Sequence, residues 1–277
     1  MNSPAVARAQ RVLMCAPTHF QVSYEINPWM SVARCVDRDR AARQWETLRA
    51  CIAEHAEVVL IDPQPGLPDM VFTANAGVVA GNRAVPSRFS PLQRQPEERW
   101  FTEWFASAGF SIHSLDQVGG FEGAGDCLAD TLLPIFWAGY GTRSRVEFHA
   151  RLQSLFGREV VSLKLVDPRF YHLDTCLAPL QGGYLMYFPA AFDGDSLAAI
   201  HARVPQQRRI EVDEADACDF VCNAVNLGNR IIVHRASASL QRRLTRLGFV
   251  VDTVELGEFL KSGGSAKCLS LLLDELP

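Results

Sequence analysis

Short polar segments at the mouths of apolar runs recur through this chain at a nearly constant interval, and that interval limits the folds open to it. The segments are Ile26-Asn27-Pro28-Trp29-Met30, Val71-Phe72-Thr73-Ala74-Asn75-Ala76-Gly77, Phe121-Glu122-Gly123-Ala124-Gly125-Asp126, Tyr171-His172-Leu173-Asp174-Thr175, Phe220-Val221-Cys222-Asn223-Ala224-Val225 and Lys267-Cys268-Leu269-Ser270-Leu271. Their polar positions 27, 75, 122, 172, 223 and 268 are 48, 47, 50, 51 and 45 residues apart. Repeats of this length belong to propellers and other arrays. One such spacing arises readily in any α/β chain; five in succession, each starting at the head of an apolar run, are a stronger constraint. The arrangement they predict is α/β, a five-bladed propeller of ββαβ units around a central channel, with the first and last segments sharing a blade. A ring of that kind makes residues 1–277 one domain, and no Pro/Gly/Ser linker interrupts it.

Helical periodicity is clearest over Cys35–His55, Glu97–Gly109, Arg143–Phe156 and Ser237–Leu247. Between these lie apolar runs that read as strands: Val58–Ile61, Thr131–Phe136, Tyr184–Phe188 and Arg230–His234. With 27 Lys+Arg against 31 Asp+Glu the net charge is −4, which gives no general attraction to nucleic acid or to anionic membrane and suits a small or cationic partner. No apolar run reaches the ~18 residues of a membrane span, and Met1–Arg11 lacks the apolar centre of a secretory signal. The expectation is a cytoplasmic protein whose eight cysteines stay reduced. Cys218 and Cys222 have no partners at zinc-site spacing, so no metal is expected. Homo-oligomerisation is left open.

Cys268 follows Ser262-Gly263-Gly264-Ser265-Ala266-Lys267. A glycine-rich loop allows close backbone approach, and Lys267 adds positive charge that favours a thiolate. Cysteines at strand starts are as a rule packing residues; the loop and the repeat position make Cys268 the nucleophile candidate here. His172-Leu173-Asp174 reads as strand alternation, with both polar side chains on one face and an imidazole suited to proton transfer near neutral pH. Such a pair is as often a structural hydrogen bond. Glu122 and Asp126 frame Gly123-Ala124-Gly125, a weak signal alone. Together, a thiol, an imidazole and several carboxylates in one channel suit a cationic substrate with an electrophilic carbon. A guanidinium fits: it stays protonated, and carboxylates grip its planar N–H groups in pairs. The thiolate would attack the carbon and His172 would protonate the departing nitrogen, then activate water. No cofactor is needed.

These motifs, in this order from about Leu13 to Leu273, resemble the guanidine-modifying enzyme superfamily, which includes arginine deiminases, dimethylarginine dimethylaminohydrolases, arginine dihydrolases and amidinotransferases. The resemblance implies an α/β propeller of five ββαβ units. It also implies Cys268 as covalent nucleophile, His172 as general acid/base, and Glu122 and Asp174 as guanidinium clamps. Arg94 and Arg143 look like the arginines that hold the substrate's α-carboxylate, and Asp126 matches the acid of the glycine turn, with a positional role. Deiminases and dimethylarginine hydrolases typically carry an Asp where this chain has Asn75; Asn75 and Asn27 look like arginine dihydrolase. An amide can hold a neutral ureido group better than a carboxylate tuned for a cation. The leading expectation is therefore conversion of arginine to ornithine, ammonia and carbon dioxide. Deimination or dimethylarginine hydrolysis to citrulline follows, then amidino transfer, then a non-enzymatic arginine-binding propeller.

Overall fold

The computed structural model describes residues 10–115 and 120–274, so the expectation about Met1–Arg11 falls, except for its last two residues, outside them. Fifteen strands and seven α-helices alternate along the described residues. In chain order they are β1 (Arg11–Cys15), α1 (Arg38–Ala53), β2 (Glu57–Ile61), β3 (Gly77–Ala80), β4 (Arg83–Pro86), α2 (Glu97–Ser107), β5 (Ser111–Ile112), β6 (Cys127–Ala129), β7 (Ile135–Tyr140), α3 (Glu147–Phe156) and β8 (Glu159–Lys164). They continue with β9 (Leu177–Leu180), β10 (Tyr184–Tyr187), α4 (Gly194–Arg203), β11 (Arg209–Glu211), α5 (Glu214–Cys218), β12 (Val225–Leu227), β13 (Arg230–Val233), α6 (Ala238–Arg246), β14 (Val250–Thr253), α7 (Gly257–Leu260) and β15 (Leu271–Leu272).

The strands form five three-stranded sheets of one design. An antiparallel pair joins β3 to β4, β6 to β7, β9 to β10 and β12 to β13, and a helical crossover then returns the chain to a parallel third strand, β5, β8, β11 or β14. The fifth sheet is built from both ends of the chain: β15 pairs antiparallel with β1, and β1 pairs parallel with β2 across α1. The central strand of each sheet is buried on both faces, which is why these strands read as continuous apolar runs such as Val12-Leu13-Met14-Cys15. Four apolar clusters join chain-adjacent sheets. One contains Met14 of β1 with Ile232 of β13, another Leu13 with Val79 and Ala84, a third Val78 with Phe136, and the largest runs from Trp137 through Tyr187 to Val233.

Five of the six repeat positions precede the first strand of a sheet. Asn75, Glu122 and His172 sit in or beside short 3-10 turns (Thr73–Ala76, Gly123–Gly125, Leu173–Thr175) leading into β3, β6 and β9. Asn223 and Cys268 lie in the turns before β12 and β15. Asn27 departs from the pattern: it lies in the loop between β1 and α1 and no strand follows it. Its side-chain oxygen accepts from the Trp29 and Met30 N–H groups, which curls the segment into a turn.

Three local expectations are corrected. His172-Leu173-Asp174 is not strand alternation, because the chain tightens into a 3-10 turn at Leu173. β7 begins only at Ile135, since Asp130 accepts from the Leu132 and Leu133 N–H groups and holds Thr131–Pro134 as a turn. α3 begins at Glu147, which leaves Arg143 in the preceding loop, where it can reach across to another turn. Among the described residues no helix is long and apolar enough to cross a membrane.

Candidate active site

The turns before the five sheets converge, and their polar side chains form one buried network. Cys268 is 2% exposed, and its thiol donates to Asp174 Oδ2 at 3.3 Å while Asn223 Nδ2 donates to its sulfur at 3.0 Å. Asp174 Oδ1 has no hydrogen-bond partner among the described residues. Burial pushes this carboxyl up to about 6, against the opposing pull of His172, the Cys268 S–H and Lys267. The thiol is pushed well above its ordinary value, by burial first and then by the Asp174 charge. Any charge that Lys267 adds in favour of a thiolate is thus outweighed in the free protein by burial and by Asp174. Asp174 accepts the S–H directly, and Lys267 lines a larger cavity elsewhere.

His172 and Glu122 form the second pair, with Nε2 and Oε2 2.7 Å apart. Arg143 Nη1 donates to the same Oε2 at 3.0 Å, and the Ser90 N–H donates to Oε1 at 3.2 Å. Burial alone would raise the Glu122 carboxyl; the His172 hydrogen bond and the charges of Arg143, His172 and Arg94 hold it down at about 2. Glu122 is thus an anion locked against imidazole and guanidinium. Asp126 sets the backbone of this pair: Oδ2 accepts from the Ser144 hydroxyl at 2.6 Å and Oδ1 from the Leu173 N–H at 2.9 Å. Ser144 Oγ in turn accepts from the Glu122 N–H at 3.0 Å. One carboxylate therefore fixes the turns that carry Glu122 and His172.

Asn75 is wedged between two partners. Its Oδ1 accepts from Arg94 Nη1 at 2.9 Å, and its Nδ2 donates to the Glu122 carbonyl at 3.0 Å. Arg94 lies over the Phe89 ring and is clamped by Glu97 through Nε and Nη2 at 3.0 and 2.8 Å. Arg143 lies over the Tyr171 ring, and its Nη2 donates to the Ile26 carbonyl at 2.6 Å. Asn27, Asp69, Asn75, Arg94, Arg143 and Cys268 all line one small cavity. Asn27 spends its amide on backbone, with Nδ2 donating to the Ser262 carbonyl at 3.0 Å, and so shapes the rim of that cavity. Size does not mark the site: the larger cavity, bounded by Asp130, Gln181 and Asn226 among others, holds no nucleophile-base pair. Among the described residues no cluster of His, Cys, Asp and Glu could hold a metal ion.

Among the network residues that escaped the sequence reading are Asn223 and Asp69. Asn223 carried the repeat interval but was given no chemistry, and its apolar neighbours offered none. Asp69 sits in a Pro68–Val71 turn with no motif signal; its Oδ2 accepts from the Tyr24 hydroxyl at 2.9 Å, its Oδ1 has no hydrogen-bond partner among the described residues, and burial pushes its carboxyl up.

The sheet design and this thiol, imidazole, carboxylate and arginine set define the class as the guanidine-modifying pentein superfamily. Residues 26–272 match the family described as N,N dimethylarginine dimethylhydrolase, eukaryotic, and the chain belongs to that family. It is 49% identical over 266 residues to the bifunctional arginine dihydrolase/ornithine cyclodeaminase AgrE of Nostoc sp., a match covering 96% of this chain and 38% of that protein. It is 41% identical over 276 residues to the N(G),N(G)-dimethylarginine dimethylaminohydrolase of Mycobacterium tuberculosis, covering 98% of this chain and 89% of that one. The crystal structure of the N-terminal domain of ArgZ, a cysteine-to-serine mutant bound to substrate and described as an arginine dihydrolase from Cyanobacteria, superposes with a TM-score of 0.94 at 48% identity. That match covers 96% of this chain and 99% of the other. The chain spans little more than a third of the length of the bifunctional relatives, 38%.

Proposed function

We propose that this chain is an arginine dihydrolase, converting arginine to ornithine, two ammonia and carbon dioxide through a covalent Cys268 adduct. The five sheets are read as blades of one catalytic α/β propeller domain with the site in its channel, in a reducing, cytoplasmic setting. The observation that carries the reading is Asp174, a wholly buried carboxylate that accepts from the Cys268 thiol and keeps one oxygen without a hydrogen-bond partner among the described residues. A guanidinium set against that oxygen supplies the missing donors and neutralises the charge that keeps the thiol protonated.

In this mechanism the Cys268 S–H proton passes to His172, and the thiolate so formed bonds to the guanidino carbon. His172, oriented by Glu122, then gives that proton to the departing nitrogen, and ammonia leaves a thiouronium adduct. Water adds to the adduct as His172 takes its proton; the C–S bond breaks and citrulline forms. A second round on the ureido carbon expels the second ammonia. Water and C–S cleavage then release ornithine carbamate, which loses carbon dioxide. Asn75, with a donor and an acceptor in one side chain, is assigned to retaining the neutral citrulline. Arg94 and Arg143 are assigned to the α-carboxylate, and Asp69 to the α-ammonium. The thiol and the imidazole supply the chemistry without a cofactor.

A second reading, hydrolysis of dimethylarginine to citrulline, is favoured by the family match and by the mycobacterial relative. Mass spectrometry of products from arginine, citrulline and dimethylarginine separates the two: ornithine from arginine and from citrulline is expected. Citrulline as the end product would overturn the dihydrolase reading. Cys268→Ser is expected to abolish turnover with the fold retained. Asn75→Asp should shift the product from ornithine toward citrulline; an unchanged ornithine yield would remove the role given to Asn75.

A further inference from the structure

Asn223 is the repeat position to which the proposed chemistry gives no role, yet it is wholly buried and its amide is spent on the nucleophile. Oδ1 accepts from the backbone N–H groups of Ser265 at 3.1 Å and Cys268 at 3.0 Å. Nδ2 donates to the Asp174 carbonyl at 3.1 Å and to Cys268 Sγ at 3.0 Å. The main chain adds two more ties, the Asn223 N–H to the Phe220 carbonyl and the Lys267 N–H to the Asn223 carbonyl. This network also settles which end of the amide meets the sulfur. Turned over, the NH₂ group would oppose two N–H donors and the oxygen would oppose the Asp174 carbonyl, so only one orientation satisfies every group.

The sulfur therefore has side-chain partners of opposite effect, with the Ser265 backbone N–H on the side of the thiolate. Asp174 accepts the S–H and disfavours a thiolate; Asn223 can only donate and favours one. Once a guanidinium occupies Asp174, the Asn223 amide is the side-chain donor left on the sulfur, beside the Ser265 backbone N–H, at the two moments when the sulfur carries charge: before the C–S bond forms and after it breaks. Strain in the preceding turn points the same way. Among the described residues Phe220 is the one non-glycine with positive φ, +58°, and it is held there by complete burial and by the edge of the Trp29 ring, centroids 4.8 Å apart. An aromatic residue rarely adopts this conformation unless its surroundings over-determine it, and such positions gather at functional sites.

We propose that Asn223 is a catalytic residue whose Nδ2–H stabilises the Cys268 sulfur as attacking and as leaving thiolate. The proposal rests on Cys268 being the nucleophile of the function proposed above.

An amide that only ties the loops together acts through its Oδ1 contacts and its bond to the Asp174 carbonyl, and Asn223→Asp keeps the Oδ1 contacts while removing the donor to the sulfur. It keeps an acceptor for the Ser265 and Cys268 N–H groups and turns the donor facing the sulfur into a carboxylate oxygen. The expected result is a circular dichroism spectrum like that of the wild type, a kcat lower by about 100-fold, and a pH profile of iodoacetamide alkylation at Cys268 moved upward by a unit or more. Asn223→Ser, too short to reach the sulfur and uncharged, is expected to lower kcat by about tenfold with the same upward displacement; it carries the test if the Asp variant does not fold. Wild-type kcat and alkylation profiles in a folded variant would overturn the proposal and leave Asn223 a structural amide. Cys268→Ser distinguishes the deeper failure: full activity there would overturn the nucleophile assignment, and with it this proposal, whatever Asn223 does.

Discussion

At the scale of single residues, two buried carboxylates with opposite electrostatics define the site. Glu122 is held at about 2 by its cationic partners, so its contribution to stability is present above its unfolded value of 4.5 and lost as pH falls through about 2. Asp174 runs the other way. Its carboxyl is raised from 3.8 to about 6, so its protonated form stabilises the fold below pH 3.8 and that stabilisation is lost as pH rises through about 6. At neutral pH the buried anion costs the fold on the order of 3 kcal/mol. Asp174→Asn should therefore abolish turnover yet raise the melting temperature by several degrees at pH 7.5, with little change at pH 4. Calorimetry at the two pH values checks this; an equal displacement at both would mean that the Asp174 charge is not the source. The residues named from the sequence, Cys268, His172, Glu122, Asp174, Asn75, Arg94 and Arg143, do meet in one network. Protonation states were beyond sequence, because they depend on which groups share a desolvated volume.

At the scale of elements, the turns between polar head and first strand do the positioning. Gly125 shows how tightly they pack: a methyl group there would run into Asn75 Nδ2 and come within 3.4 Å of the His172 ring. Because Asn75 is held by Arg94 and by the Glu122 carbonyl, it cannot step aside without losing both bonds. Gly125→Ala is expected to cost about 1–3 kcal/mol of stability and to lower kcat/KM by at least tenfold; steady-state kinetics with denaturant titration would test it, and unchanged kinetics would show that Asn75 moves freely. The long amphipathic helices were legible from their period, α1 and α2 to within a few residues of their ends. Helix α4 was not, since it turns only Ser196 and Ile200 fully inward and shows a weak apolar stripe. The 3-10 turn at Leu173–Thr175 was read as strand because three residues cannot distinguish the two periods.

Over the whole molecule, the fifth sheet depends on segments from both ends of the described residues. β15 pairs with β1, the Leu273 N–H donates to the Arg11 carbonyl, and Arg11 forms an ion pair with Asp274 at 2.9 Å. Since Cys268 stands three residues before β15, the strand that completes this sheet also anchors the thiol. Chain-adjacent sheets share apolar clusters, including the last with the first. Denaturant unfolding is accordingly expected as one transition, coincident by circular dichroism and tryptophan fluorescence. Two separated transitions would argue against a single domain. Leu271→Asp, which would bury a charge in β15, should destabilise the whole by about 3 kcal/mol or more and remove activity in parallel.

What the sequence by itself determined is the five-fold order: the interval between polar heads, the α/β alternation and the residue types at those heads are local properties, readable without coordinates. Only the tertiary structure decided how those heads act on one another. It set Asn27 apart as a shaper of the rim and gave Asn223 a bond to the Cys268 sulfur. It also kept the free thiol protonated against Asp174. Each of these outcomes depends on the distance and shared burial of groups 45 or more residues apart, which no spacing along the chain encodes.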